Sequence, residues 1–405
     1  MENITISDSS QKEFRNNSAG WMSFLIDVLI CSLGAYGGPE AHISVFLDQL
    51  VTKRKYLKEE ELIELIALCS ILPGPTSTQT IVAVGYKTGG PVLAFLTMLV
   101  WALPVLTIMS VLSFLYQYLS FRHIPHDVLR YIGPMAVGFI IVAAFRIGKK
   151  VIKDVPSALM MFIAAVITYF VRTPWIFPIL LVSGGIVSIL LSKNDDLWNK
   201  VAISPPWPYF AVFALFALGG ILLISISDNR LIHLIESFYR YGYLVFGGGQ
   251  VVFPIMHTEL VQVREFMTNQ EFLTGYGLVQ GLPGPMFSFA AYAGGMAARG
   301  GSVLLQIAGA AAGGIGIFLP GLLLIYFVYP VWEDLKKIKG IKVSLTGINA
   351  VAAGMIAVAA VTLTQSSGLS LENLAVTAAS ALMLVSRKIP APLIVIMAVV
   401  SGFVF

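Results

Sequence analysis

The chain has 405 residues, is 57% hydrophobic and only 12% charged, and has a mean hydropathy of +0.82. Soluble domains carry about 25% charged residues, so this composition excludes a soluble globular protein and predicts an integral membrane protein. The formal net charge of +4 fits a membrane topology better than nucleic-acid binding, and no nucleic-acid partner is expected.

In chain order, the polar residues 1–20 come first and are interpreted as a cytoplasmic tail, because a secretory signal would open with basic residues. Apolar segments follow near 21–37, 62–86, 91–119, 129–148, 156–171 and 175–191, and then near 209–227, 232–248, 272–297, 302–329, 345–365, 371–386 and 390–405. A spanning helix needs roughly 20 mostly apolar residues. The pattern therefore predicts an all-α polytopic membrane protein with about 10–13 membrane segments.

The stretch Leu72-Pro73-Gly74-Pro75 returns 210 positions later as Leu282-Pro283-Gly284-Pro285, each time within an apolar segment. Proline lacks a backbone donor and glycine permits non-helical angles, so Pro-Gly-Pro interrupts a helix. Broken backbone in a membrane must be buried in protein or line a watery cavity. A matched pair of interrupted segments indicates the binding site of a transporter.

The offset of 210 extends well beyond Pro-Gly-Pro. It places Tyr36-Gly37-Gly38 on Phe246-Gly247-Gly248, and a six-residue insertion then places Gly138 on Gly354. We therefore divide the chain into a first repeat (21–191), a linker with one spanning helix (192–231) and a second repeat (232–405). Six elements per repeat and one linker span predict inverted topology of the two repeats.

The positive-inside rule tests this layout, with the N-terminus in the cytoplasm. If every segment spans, about 16 Lys and Arg residues lie inside and about 10 outside. If the Gly-Gly and Pro-Gly-Pro elements only dip into the membrane and return, the split becomes about 19 to 7. The re-entrant layout is the better fit, although broken spanning helices would look similar in sequence.

The Gly-Gly motifs provide the first candidate site residues, because amides at a helix start favour an anion. The alternative is a kink that only allows close helix packing. The candidates are Gly37, Gly38, Pro39, Glu40 and His42 in the first repeat and Gly247, Gly248 and Gln250 in the second.

After each Pro-Gly-Pro, a helix restarts with small hydroxyl residues. Free amides and hydroxyls would form a ring of donors without fixed positive charge, suited to a tetrahedral oxyanion that must also leave. Ordinary N-capping is the alternative, and both roles can hold at once. The candidates are Pro73, Gly74, Pro75, Thr76, Ser77 and Gln79, with Pro283, Gly284, Pro285 and Ser288 in the second copy.

Ionisable groups within apolar segments are costly and mark functional candidates. Glu40 with His42 could relay protons, or His42 could be a neutral hydrogen-bonding residue. Asp27 and Glu64 lie within or beside apolar segments. The chain has no GxxxxGK[ST] or HExxH motif, so neither an ATP-driven pump nor a metal site is expected, and no cofactor. A membrane-embedded enzyme is the rival class, but it does not explain the duplication.

The motifs GGPEAHI, PGPTSTQ, FGGGQVVFP and the second PGP, in this order, resemble the chromate ion transporter family in its long-chain form with two fused homologous halves. The resemblance implies export of chromate from the cytoplasm, with sulfate as an analogue, and assigns function to the glycines, prolines, Glu40, His42, Gln79 and Gln250 named above. The second half departs from the first where Met286 and Phe287 replace Thr76 and Ser77, so a symmetric two-site mechanism is not expected.

We expect a secondary transporter in the plasma membrane, surrounded by the lipid bilayer, that exports a chromate-like dianion by alternating access. The membrane potential, proton coupling or both would drive it. The alternatives are a proton-coupled importer of sulfate or another oxyanion, and a permease of another chemical class. The oligomeric state is open, with a homodimer as one candidate. The first Pro-Gly-Pro copy is expected to contact the anion and the second to be its structural counterpart.

Overall fold

The structure, a computed structural model, describes residues 18–121, 129–171, 173–192, 197–198, 204–246 and 249–404. Within these ranges it consists of α-helices with short 3-10 and π-helical turns, and it contains no strand there. The α-helices are α1 Ser18–Gly34, α2 Pro39–Phe46, α3 Glu59–Ile71, α4 Thr76–Phe121, α5 Ile132–Val151, α6 Val155–Phe170, α7 Ile176–Leu190, α8 Trp207–Ile226, α9 Arg230–Tyr243, α10 Val252–His257, α11 Asn269–Gln280, α12 Phe289–Ala297, α13 Val303–Val328, α14 Trp332–Leu335, α15 Lys339–Ser367, α16 Leu371–Ser386 and α17 Ala391–Val404.

The backbone repeats at the offset of 210. Residues with positive φ occur in corresponding pairs, namely Lys55 and Glu265, Gly74 and Gly284, and Gly90 and Gly300. Helices α3 and α11 both begin with a carboxylate that accepts a hydrogen bond from the backbone amide three residues earlier. Glu61 accepts from Lys58, and Glu271 from Thr268, both at 2.8 Å. These shared local features confirm the duplication that the motifs predict.

At the first Gly-Gly motif the chain turns back on itself. The Nε2 atom of Gln49, in the π-helical turn Leu47–Lys53 after α2, donates to Oδ1 of Asp27 in α1 at 2.8 Å. In one continuous helix these residues would be separated by about 33 Å, at 1.5 Å per residue. Helices α1 and α2 therefore form a hairpin with its tip at residues 35–38.

Two further reversals follow in the first half. Lys87 Nζ lies 2.9 Å from Glu61 Oε1, so α3 and the start of α4 form a second hairpin with Pro73-Gly74-Pro75 at its tip. The Nε1 atom of Trp101 donates to Thr78 Oγ1 at 3.1 Å. Helix α4 is therefore itself folded back, at Gly89 and Gly90, where φ and ψ leave the helical region. Its long arm is residues 91–121.

The second half makes the same three reversals. Ser237 in α9 donates to Glu259 at 2.9 Å, across the second Gly-Gly motif. Arg299 pairs with Glu271 at 2.5 Å, across the second Pro-Gly-Pro motif. Helix α12 packs closely against α13, with a Cβ at Gly309 placed 2.5 Å from the Gly294 carbonyl. Both halves thus consist of two hairpins followed by a long helix.

The two long helices run antiparallel to each other. Tyr326, near the end of α13, donates to the carbonyl of Pro91 at the start of the long arm of α4. Leu106, halfway along that arm, lies against Gly314 in α13. Corresponding ends of the two halves therefore lie at opposite ends of the molecule, as inverted topology requires. We call the end with Glu61 and Lys87 the first face, and the end with Glu271 and Arg299 the second face.

Positively charged residues gather at the first face. The connection after α2 reaches this face, as does the chain after α13, where Lys336 pairs with Glu64 of α3. The cations near it include Lys53, Arg54, Lys55, Lys58, Lys87, Lys336, Lys337, Lys339 and Lys342, whereas Arg230, Arg264 and Arg299 lie toward the second face. The hairpins thus return to the face from which they came, as the re-entrant interpretation predicts.

The last two helices of each half are exchanged between halves. Helices α6 and α7 pack on α15, and α16 packs on α5. The exchange is reciprocal, because Gly138 of α5 lies against Thr377 and Ala381 of α16, and Gly354 of α15 lies against the corresponding Met161 and Ala165 of α6. Thr377 Oγ1 also donates to the carbonyl of Pro134 at 2.9 Å. The halves are therefore interlocked by exchanged helices.

Within the described ranges, five helical stretches are long and apolar enough to cross a membrane: Thr76–Tyr118, which contains the reversal at Gly89 and Gly90, Ile132–Val151, Trp207–Ile226, Val303–Leu335 and Lys339–Ser367. Helix α8 links the halves in sequence, packs on α9 and α13 of the second half and buries none of its residues, as expected of a helix that faces lipid. Helices α1, α6, α7, α16 and α17 are apolar but shorter. The predicted two-repeat, all-α membrane fold is confirmed.

Gly138→Ala should destabilise the exchanged packing, because a Cβ there would lie 2.6 Å from the Thr377 carbonyl oxygen. We expect a loss of about 1–3 kcal/mol, typical of overpacking, measured by thermal unfolding of the purified protein in detergent. The matched control on the same helix is Gly148→Ala, whose Cβ would have its nearest neighbour at 3.8 Å. Equal melting temperatures for the two variants would contradict this packing.

Single cysteines at Glu60 and Gln270 should be labelled from opposite sides of the membrane. Both positions are exposed and correspond at the offset of 210, at the starts of α3 and α11. The measurement is labelling with a membrane-impermeant thiol reagent in right-side-out and everted vesicles. Labelling of both from the same side would rule out the inverted arrangement.

Candidate functional site

The tips of the four hairpins meet in two reciprocal hydrogen bonds between the halves. The amide of Gly74 donates to the carbonyl of Val245, and the amide of Gly284 donates to the carbonyl of Ala35, both at 2.8 Å. Ala35 and Val245 correspond at the offset of 210, as do the two glycines. Each Pro-Gly-Pro tip is thus joined to the Gly-Gly tip of the other half.

Glycine is required at these tips by backbone conformation. Gly74 and Gly284 have φ of 131° and 95°, and Gly37 and Gly38 both have φ of 91°, a region that residues with a Cβ rarely occupy. A Cβ at Gly74 would also lie 2.7 Å from the Gln79 side chain. The sequence motifs are therefore needed for the chain to reverse where it does.

A polar network lies beside the first Pro-Gly-Pro tip. His42 in α2 and Ser77 in α4 share a hydrogen bond between Nδ1 and Oγ at 2.9 Å. His42 is 2% exposed, its ring packs edge-on against Trp101, and its Nε2 has no hydrogen-bond partner within the described residues. Ser32 Oγ donates to the carbonyl of Trp101 at 2.7 Å. The network joins α1, α2 and both arms of α4.

Gln79 braces the first tip. Its Nε2 donates to the carbonyl of Pro73 at 2.9 Å, so the side chain folds back under the turn. Its Oε1 is buried and has no donor within the part of the chain that the structure describes. Gly321 of α13 leaves room for both Gln79 and Pro75, each about 3.5 Å from a Cβ built there. The brace is therefore packed against the second half.

The helix that follows the first tip begins with backbone amides that lie outside its helical hydrogen-bond pattern. The first helical hydrogen bond runs from the Gln79 amide to the Pro75 carbonyl at 2.8 Å, so the amides of Thr76, Ser77 and Thr78 precede it. Thr76 and Pro73 are partly exposed, whereas Ser77 is buried. Together with His42, these groups offer hydrogen-bond donors to an acceptor at the tip.

The second tip is chemically different. Met286, Phe287 and Ser288 form a 3-10 turn and are all buried, and the Ser288 hydroxyl has no hydrogen-bond partner within the described residues. Gln250 Oε1 accepts from Tyr276 at 2.6 Å. Pro283 is partly exposed, and Pro285 is buried. The side chains that follow the second Pro-Gly-Pro are thus largely apolar.

Some of the predicted site residues lie away from the hairpin tips, and others lie outside the residues that the structure describes. Gly247 and Gly248 lie outside the described residues, as do the side chains of Pro39 and Glu40, although Pro39 begins α2. Asp27 lies away from the tips and accepts hydrogen bonds from Gln49, Arg54 and Tyr56 at 2.7–2.9 Å. Glu64 lies at the first face with Lys336.

A cavity of about 680 Å³ lies at the first face between α3, the end of α13 and α15. Its lining includes Ile71 and Leu72, the two residues directly before Pro73. Lys336 and Lys342 line it as well, and both are exposed. The cavity therefore leads from the first face to the first Pro-Gly-Pro hairpin.

The duplicated sequence has counterparts in known proteins. The sequence profile of the chromate transporter family matches residues 22–189 and, separately, residues 232–403. The chain belongs to the chromate transporter family. This membership agrees with the resemblance that the four motifs suggested, and it makes the protein a member of a transporter family rather than of an enzyme family.

Named relatives cover most of the chain. A chromate transport protein from Pseudomonas aeruginosa is 27% identical over 82% of this chain and 78% of its own length. A probable chromate transport protein from Synechococcus elongatus is 25% identical over 92% and 93%. A chromate transport protein from Cupriavidus metallidurans is 24% identical over 91% and 89%. No solved structure matches the chain.

This chromate transporter family member also has a buried ion cluster that the sequence did not reveal. Arg240 in α9 donates to Glu236 at 2.7 Å and to both carboxylate oxygens of Glu259 at 2.9 and 3.0 Å. All three residues are at most 3% exposed. The Arg240 guanidinium also lies 5.0 Å from the ring of Trp175, in the connection between α6 and α7. The cluster therefore joins the second Gly-Gly hairpin to the first half.

From the sequence alone, Arg240 is only one of the Lys and Arg residues counted on the two sides of the membrane. The signal was available in its spacing, because Glu236 and Arg240 are four residues apart on one helix. The offset of 210 also pairs Glu259 with Gln49 and Ser237 with Asp27. The corresponding hairpins thus contain different polar clusters at the same place.

Arg240→Met should destabilise the protein strongly, because the carboxylates of Glu236 and Glu259 lose the buried cation that they share. The expected loss is about 3–5 kcal/mol, measured by thermal unfolding in detergent. The matched control is Arg264→Met, because Arg264 is 29% exposed and its Nε lies 3.4 Å from Glu259. That variant should lose less than about 1 kcal/mol. A loss in Arg240→Met no larger than in this control would contradict the role of the cluster.

Proposed function

We propose that this protein exports chromate, a tetrahedral dianion, from the cytoplasm through a site at the joined hairpin tips. The observation that carries the proposal is the junction itself, where four interrupted elements from inverted halves meet within one membrane protein. Interrupted helices at the repeat interface are where secondary transporters bind their substrates. The family membership and the names of the relatives support chromate as the substrate.

The chemistry of the first tip suits a dianion. The amides of residues 76–78 and the Ser77 and Thr76 hydroxyls are neutral donors. No lysine or arginine is among the residues that contact the tip in the described part. Such donors hold an oxyanion without the strong attraction of a buried cation, so the ion can leave again. The second tip, with Met286 and Phe287, would serve as the apolar wall.

The first face would be cytoplasmic, and with it the N-terminus. Cytoplasmic ends of membrane helices carry an excess of lysine and arginine, and the nine lysine and arginine residues named above lie near this face, against three toward the second face. An anion would then reach the first tip from the cytoplasm. Inverted halves can exchange conformations, so that access to the tips changes from the first face to the second.

The membrane potential is sufficient to drive export of a dianion. One elementary charge crossing 100 mV corresponds to about 2.3 kcal/mol, so a dianion that leaves an inside-negative cell gains roughly 4.6 kcal/mol. This corresponds to a concentration ratio of a few thousand-fold. Uptake of the same ion would require several coupled cations.

A proton-coupled oxyanion importer is the second candidate, and His42 is the observation that favours it. The imidazole is buried, shares one nitrogen with Ser77, and leaves Nε2 without a partner among the described residues. Protonation of both ring nitrogens of His42 would add a positive charge next to the tip. Export by membrane potential and proton-coupled import therefore make different predictions for the same histidine.

The test uses purified protein in liposomes, with a potassium gradient and valinomycin to set the potential. Under the proposal, chromate flux toward the positive side rises with the potential and is unaffected by a proton ionophore. Ser77→Ala should lower the flux about tenfold, since loss of one hydrogen bond to a charged group costs about 1.5–3 kcal/mol. The matched control is Ser225→Ala on α8, because Ser225 is exposed, lies outside the cavity lining and its hydroxyl donates to the Ile221 carbonyl.

Three outcomes would contradict the proposal. Strong flux of sulfate, molybdate or phosphate without chromate flux would overturn the substrate. Flux that is independent of potential would remove the driving force. Acid-stimulated flux that loses its pH dependence in His42→Gln would favour the importer.

A further inference from the structure

The cavity at the first face is charged at its rim and apolar within. Lys336 Nζ lies 2.5 Å from Glu64 and 2.7 Å from Glu333, so this lysine is paired with two carboxylates, both outside the lining of the cavity. Lys342 lines the same cavity and has no ion-pair partner within the described residues. The four charges at the rim sum to zero, and of the two lysines in the lining Lys342 is the one without a carboxylate partner among the described residues.

The walls of the cavity strengthen the field of that charge. Apart from the two lysines, they consist mostly of apolar side chains, such as Leu335, Ile341 and Leu345. Clefts with low-dielectric walls focus the field of their charges and raise the local concentration of counter-ions. Trp332 lines the cavity, is 8% exposed, and its indole N–H has no acceptor within the described residues. The cavity thus attracts an anion electrostatically and has few polar groups that would hold it there.

One contact across the rim joins the two halves. Glu64 belongs to α3 in the first half, and Lys336 follows α14 in the second half, so their ion pair ties the two halves together at the first face. An arriving anion would compete with Glu64 for the Lys336 ammonium. The inner wall at Ile71 and Leu72 then brings the ion to the first Pro-Gly-Pro tip.

We infer that this cavity is the vestibule that collects the oxyanion at the first face, with Lys342 as the attracting charge and the Glu64–Lys336 pair as a latch between the halves. The inference rests on the proposed function for the identity of the ion and the use of the path. The attraction of small anions into the cavity can be measured without transport.

The experiment places a reporter thiol inside the vestibule. Asn349 lines the cavity about two helical turns beyond Lys342 on α15. The variant Asn349→Cys is reacted in detergent with an anionic and, separately, with a cationic methanethiosulfonate reagent. The result is the ratio of the two reaction rates. Cys31 and Cys69 are both 0% exposed, so the chain without the reporter serves as the blank.

The charge variants have opposite expected signs in this assay. Lys342→Gln should lower the ratio of anionic to cationic rates roughly threefold or more at low ionic strength, and less at high salt. Glu64→Gln should raise the ratio, because it removes one of the two negative charges beside the Lys336 ammonium. The matched control is Lys150→Gln, since Lys150 is exposed at the end of α5 and outside the lining. It should leave the ratio unchanged.

An unchanged ratio in both Lys342→Gln and Glu64→Gln would overturn the vestibule. The vestibule would also be overturned if Lys342→Gln lowered the ratio only in the presence of anionic lipid, because the lysines would then bind lipid headgroups. Chromate flux with an unchanged ratio would reject the vestibule and leave the proposed function standing. The expected ratio shifts without chromate flux would support the vestibule and reject chromate as the substrate.

Discussion

The arrangement of the whole molecule depends on two backbone hydrogen bonds between the hairpin tips. A bilayer offers no water to satisfy broken backbone, so each interrupted helix needs partners inside the protein. The Gly74 and Gly284 amides find theirs in the Val245 and Ala35 carbonyls of the opposite half. A buried amide left without a partner costs several kcal/mol. Neither half can therefore keep its tips in the membrane without the other, and the site exists only where the halves meet.

Much of this arrangement could be predicted because it depends on local chemistry. Proline and glycine restrict the backbone wherever they occur, so the two Pro-Gly-Pro motifs had to be turns, and the offset of 210 followed from counting residues. The lysine distribution favoured hairpins that return to their own face, because the cytoplasmic ends of membrane helices carry an excess of lysine and arginine. The difference between Ser77 and Phe287 was equally visible in the sequence.

What could not be predicted depends on contacts between distant segments. Nothing local in α5 indicates that Gly138 packs on α16 rather than on its own half. The brace from Gln79 to the Pro73 carbonyl depends on the room left by Gly321, which lies on another helix. The sequence does not show whether the Arg240 side chain faces water or two buried carboxylates. Each of these contacts depends on how the helices pack, and the sequence of one segment does not determine that packing.

The exchanged helices have a consequence for how the protein is made. Ribosomes produce the first half well before α16, so the surface of α5 around Gly138 has no partner until residues 371–386 have entered the membrane. Conversely, α6 and α7 must wait for α15. The early chain is therefore held in the bilayer with uncovered helix surfaces, and its assembly finishes only when the last helices arrive. A chain that ends before α16 leaves α5 of the first half uncovered and lacks the last helices of the second half.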